Sequence, residues 1–150
     1  METTHADAYE VQRRVNHVLA TRGPEVRELV RNCVADVLNL EPAAVAPEAL
    51  LTELGAESID HLDLVFRLET AFRVKIPRGG IRQAAQAGMD GQFEVGGRLS
   101  DVAIERLRIL MPEIPRERLS PGLKANEISS LFTVETFVRL TAWQLAEQQS

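Results

Sequence analysis

The chain has 150 residues, 45% of them hydrophobic and only 5% aromatic, with a net charge of −5 and a sequence pI near 5.3. That length allows one domain with its own core and no need for disulfide or metal staples. The acidic balance argues against a nucleic-acid binder, which requires a basic patch, and suits docking onto basic partner surfaces.

Leu, Val and Ala dominate, which favours packed helices over a sheet. Residues 1–23 carry a weak helical pattern in Tyr9, Val11, Val15, Val18 and Leu19 and read as an N-terminal helical extension. Gly23-Pro24 predicts a break and a new helix, because proline suits a first turn. Val26, Leu29, Val30, Cys33, Val34, Val37 and Leu38 then recur at helical spacing. The single cysteine, Cys33, falls in this pattern and reads as a buried free thiol in a reducing compartment. Residues 39–57 predict a long ordered loop, interrupted by Pro42 and Pro47 and packed down by Leu40, Val45, Leu50, Leu51 and Leu54. A second helix starts near Ser58, with Ile59, Leu62, Val65, Phe66, Leu68 and Phe72 on its apolar face, and ends before Pro77.

Residues 78–99 hold six of the nine glycines and no long periodicity, so a flexible, loop-rich stretch is expected. Ser100 caps a third long helix with Val102, Ile104, Leu107, Leu110 and Met111, stopped by Pro112 and Pro115. A short helical turn is expected from Glu127 to Leu131, and Thr133 caps a last helix through Val134, Phe137, Val138, Leu140, Trp143 and Leu145. No strand with strong alternation is visible. No apolar run approaches the roughly 20 residues of a membrane helix, and the first residues lack the blocks of a signal peptide. A cytoplasmic protein without stable membrane insertion is expected.

The chemistry concentrates in residues 51–72. Ser58 follows a glycine-containing turn at a helix start. Alone it reads as a capping serine. The same position also suits a phosphodiester, because a helix N-terminus offers unpaired N–H groups and the positive end of its dipole. Glu57, Asp60 and Asp63 are spaced three apart beside it, with Arg67 continuing the face and Glu69 further round. A solvated acidic first turn is the plain account of that stripe.

The run Leu54-Gly55-Ala56-Glu57-Ser58-Ile59-Asp60, followed by Leu62-Asp63-Leu64-Val65 and Leu68-Glu69, resembles the acyl carrier protein signature. The similarity continues through Phe72 and Ile76-Pro77. Upstream, residues 24–53 resemble the family's first helix and long loop; downstream, residues 125–146 resemble its short third helix and last helix. The resemblance implies an all-α four-helix bundle over residues 24–150, with an N-terminal extension (1–23) and a helical insert (78–124). It implies 4′-phosphopantetheine on Ser58, installed by a phosphopantetheinyl transferase. It also implies acyl cargo held as a thioester, and docking of Glu57, Asp60, Asp63 and Glu69 to basic surfaces of acyl-processing enzymes. An acyl pocket is expected from Leu62, Val65, Phe66, Leu68 and Ile76. The chain would be a carrier and no enzyme, acting as a monomer in a specialised fatty-acid or lipid pathway. A polyketide or aminoacyl carrier is the alternative cargo class, and a carrier-like interaction module without cargo the alternative of another kind.

This chain departs from the family pattern at Glu57 and Ile59, where the signature has Asp and Leu. It departs again in the basic Arg73, Lys75, Arg78 and Arg82 after the second helix. A nucleophile reading of Ser58 with His61 lacks a G-x-S-x-G elbow, and His61 is expected on the polar side of its helix. His5 and His17 show no metal-ligand spacing. The apolar face of Ile104, Leu107, Leu110 and Met111 must be buried: either it packs on the helical body or it extends the acyl cavity.

Overall fold

The computed structural model describes residues 7–77 and 79–148 and is predominantly helical; His5 and Arg78 lie outside these residues. Helix α1 spans Ala8–Leu38, started by Asp7, whose Oδ1 accepts from the Glu10 N–H at 3.0 Å. It runs unbroken through Gly23-Pro24, which corrects the expected boundary. Pro24 is exposed, so its missing N–H falls on the solvent side of the helix. A proline inside a helix costs about 3 kcal/mol. Val11, Val15, Val18, Val26, Val30 and Val34 are all buried along one stripe, and each contributes about 1.5–3 kcal/mol. The stripe packs mainly on the last helix, and its sum outweighs the proline.

Asn39, in the left-handed conformation, ends α1. The long loop follows as expected, with a 3₁₀ turn at Pro42–Ala44 and Val45 and Leu51 buried. It is fastened to the segment before the last helix. The Leu51 N–H donates to Phe132 O, the Val134 N–H to Ala49 O and the Glu135 N–H to Pro47 O. Helix α2 spans Ser58–Phe72 and buries Leu64 and Leu68.

The stretch expected to be flexible is structured. Helix α3 covers Gly80–Gln86, and strands β1 (Glu94–Val95) and β2 (Arg98–Leu99) pair antiparallel in a short hairpin. The α3 helix is too short for its period to register in sequence, and the residues it buries are Gly80, Ala84 and Ala85. A β-carbon at Gly80 would meet the Trp143 ring at 3.5 Å, an ordinary packing contact, so Gly80 lies against the last helix without being required there. The Gly96-Gly97 turn has φ of 61° and 81°, the positive values that a two-residue hairpin requires.

Helix α4 spans Asp101–Leu110, with Ser100 Oγ accepting from the Ala103 N–H at 3.2 Å. Its Ile104 and Leu107, with Met111 after it, are among the most buried side chains. This face packs on the helical body: α4 lies against α1 and α3, in the same core as α2 and the last helix. A 3₁₀ segment at Ala125–Leu131 precedes helix α5, Val134–Gln148. Thr133 caps α5, its Oγ1 accepting from the Thr136 N–H at 3.2 Å.

Candidate functional site: a serine at the mouth of an apolar groove

The turn before α2 is wound by local hydrogen bonds. The Ala56 N–H donates to Leu51 O at 3.0 Å and the Gly55 N–H to Thr52 O at 3.1 Å. Gly55 has φ of 92° with open space around it, so a side chain there would be strained by the backbone alone. Glu57 is the N-cap, and Asp60 Oδ2 accepts from its backbone N–H at 2.8 Å. Ser58 is therefore the first helical residue and not the cap. It is exposed, and among the described residues its hydroxyl has no hydrogen-bond partner. A cap hydroxyl would be spent on the backbone; this one is free for modification.

Ser58 lines a groove of about 570 Å³ with His61, Leu62, Val65, Ile76, Ile128 and Phe132. Phe137, Leu140 and the start of α3, including Ile81, also line it, with the polar Arg82, Asn126 and Ser129. This volume is that of a small-molecule site. Of the five residues expected in an acyl pocket, Leu62, Val65 and Ile76 meet here. Phe66 does not: it is 67% exposed and borders a separate cleft with Cys33 and Arg67. Leu68 does not either, because its position on α2 turns it fully into the core. The helical period separates these residues by face, which a count of apolar positions does not. Sequence reasoning missed Ile81, Ile128, Phe132, Phe137 and Leu140.

His61 is also relocated. It is half-buried in the groove wall, with its ring edge-on to Phe137 at a centroid distance of 5.9 Å. Burial pushes its pKa below the ordinary 6.5, against a smaller opposing pull from Asp60. The acids divide by role. Glu57 and Asp63 are exposed, and Asp63 lies 3.4 Å from Arg67. Glu69 is half-buried at the far end of α2, where its Oε2 accepts from the Ile76 N–H at 2.9 Å and fastens the connection to Pro77. Burial raises the pKa of the Cys33 thiol, which fits an inert cysteine.

A family model described as the phosphopantetheine attachment site matches residues 28–79, from mid-α1 through α2. The acyl carrier protein of Thermosynechococcus vestitus is 44% identical over 54 residues, which cover 35% of this chain and 67% of the relative. The chain belongs to the acyl carrier protein family. Its cofactor is covalently attached 4′-phosphopantetheine. The residues fit such a group: an exposed, unpartnered hydroxyl at a helix start, with an apolar groove beside it. No solved structure matches the carrier. The segment that the relative shares is about a third of the chain, and α1 before residue 28, the insert after residue 79 and the last helix lie outside the residues the family model matches. Among the described residues there is no cluster with metal-ligating composition, and no helix is long and apolar enough to cross a membrane.

Proposed function

We propose that the carrier bears its phosphopantetheine on Ser58 and shelters apolar acyl cargo in the groove between α2, α3 and the 125–131 segment. The observation that carries this reading is that Ser58 lines a groove of about 570 Å³ whose walls are mainly apolar, with Leu62, Val65, Ile76, Ile81, Phe132 and Phe137 among them and the polar His61, Arg82, Asn126 and Ser129 beside them. When bound, the arm supplies a thiol that holds the acyl group as a thioester. The protein's residues do the rest. The capped start of α2 presents the serine to a transferase, and the apolar walls keep the chain from water, which favours burial by about 25 cal/mol per Å² of apolar surface.

Glu57, Asp60 and Asp63 form the docking face for basic surfaces of the transferase and of acyl-processing enzymes. Glu69 contributes less, since one of its oxygens is engaged by Ile76. An apolar groove supports fatty-acyl cargo and a lipid pathway over an aminoacyl role. Loading the protein with a fatty acyl-phosphopantetheine from the corresponding acyl-coenzyme A tests this. The amide signals of Val65, Ile128 and Phe137 should move with chain length, while those of Phe66 and Thr70 should not. Movement confined to the Phe66 cleft would contradict the reading.

A further inference from the structure

Next to the groove lies a second, much smaller cavity, of about 20 Å³, lined by Val11, Leu110, Met111, Glu113, Thr136 and Arg139, and by Trp143. Ile81 and Leu140 line both spaces, so these two half-buried side chains are the partition. The smaller cavity is polar at one end. The Glu113 side chain is 7% exposed and that of Arg139 12%. Thr136 Oγ1 donates to Glu113 Oε2 at 2.6 Å. Glu113 Oε1 and Arg139 Nε form a buried ion pair at 3.6 Å, too long for a hydrogen bond, and neither atom has a hydrogen-bond partner. Buried polar atoms without a hydrogen bond are costly and uncommon in native proteins. The ion pair therefore leaves one acceptor and one donor able to take a hydrogen bond.

We propose that this cavity is a distal subsite for a hydroxyl group borne by the acyl chain, with Glu113 Oε1 accepting from its O–H and Arg139 Nε donating to its oxygen. The inference rests on the groove being the cargo site. The charge pattern selects the group. A terminal carboxylate would repel Glu113, and an ammonium would repel Arg139. A methyl end would leave both atoms of the ion pair without a hydrogen bond. A hydroxyl donates once and accepts once, which matches the pair. The cavity has room for a group about the size of one water, which needs roughly 10–15 Å³. The cargo's hydroxyl would enter it after Ile81 and Leu140 part.

The test uses the full chain and its single tryptophan, Trp143. The protein is loaded from plain acyl-coenzyme A and from hydroxyacyl-coenzyme A of matched length, with the hydroxyl at or next to the chain end, across a series of lengths. Intact mass checks each loading. At the length that reaches the partition, the hydroxylated cargo should shift Trp143 emission. It should also raise Tm by about 2–4 °C over the plain chain, the shift of one well-made buried hydrogen bond in a chain of this size. In Ile81→Phe, which thickens the partition, the difference between the two cargoes should vanish. Complete loading with indistinguishable Trp143 emission and Tm at every length would overturn the subsite while sparing the carrier reading. A difference that persists in Ile81→Phe would overturn it as well. Failure of Ser58 to load at all would overturn both.

Discussion

Leu107 tests whether the insert is part of the carrier's core or an appendage. It sits mid-α4, outside the matched family region, yet is 0% exposed in a core shared with α1 and α5. Leu107→Ala removes buried methyl and methylene groups and leaves a cavity that the surrounding helices only partly fill. Such changes cost about 2–5 kcal/mol. At a mid-range cost of about 3 kcal/mol, and a Tm change of roughly 2–4 °C per kcal/mol for a chain of this size, Tm should fall by about 6–12 °C. The assay is calorimetry, with urea unfolding followed by circular dichroism and by Trp143 fluorescence. Both probes should move together in a single transition, because one core unfolds as one unit. A loss under about 1 kcal/mol, or a separate early transition that leaves the rest of the helical signal unchanged, would refute the claim that α4 is built into the carrier body.

Two further outcomes follow from the site. His61 has its pKa lowered in the folded protein, chiefly by burial. The unfolded chain therefore takes up the proton first as pH falls through 6.5, and stability should drop from there down through the folded value. Glu113, whose pKa is raised by burial, slopes the other way: its contribution falls as pH rises above the ordinary carboxylate range. The difference between wild type and His61→Gln in urea titrations from pH 5 to 8 isolates the histidine, and a difference that does not vary with pH would contradict its placement against Phe137. For docking, Asp63→Lys should slow transferase modification of Ser58 in stopped-time assays, with only a small change in Tm, since its exposed pairing with Arg67 at 3.4 Å is worth little. Asp60→Lys should slow transfer too, but lose about 1 kcal/mol besides, because it removes the acceptor of the Glu57 N–H. Unaltered transfer rates in both would remove the acidic stripe from docking.

The sequence was most legible where periodicity is long or a motif dense. The start of the second helix, the caps at Ser100 and Thr133, the ordered loop and the last helix stand as the pattern implied; the apolar face expected on the second helix does not, because Ile59, Leu62 and Phe66 are exposed and Leu64 and Leu68 are its buried residues. Pro24 misled because local propensity is weak against a continuous valine stripe packed on α5. Helix α3 escaped notice because its two turns carry Gly and Ala where a helix would show Leu. The Gly96-Gly97 turn was a signal for the hairpin, masked by the glycines around it. In the site, sequence spacing placed Ser58 at the helix start but could not tell cap from first residue, a difference of one position that decides whether the hydroxyl is free. The groove's far wall comes from α3, the 125–131 segment and α5, and its lining as a whole runs from Ser58 to Leu140, 82 positions apart in the sequence. No local pattern joins those pieces.

The central claim is that Ser58 carries the phosphopantetheine arm. Intact mass after incubation with coenzyme A and a broad-specificity phosphopantetheinyl transferase measures this directly. Wild type should gain one phosphopantetheine, and Ser58→Ala, expected to keep its fold because the Ser58 hydroxyl makes no hydrogen bond among the described residues, should gain none. A modified Ser58→Ala, or a wild type that is never modified, would contradict it.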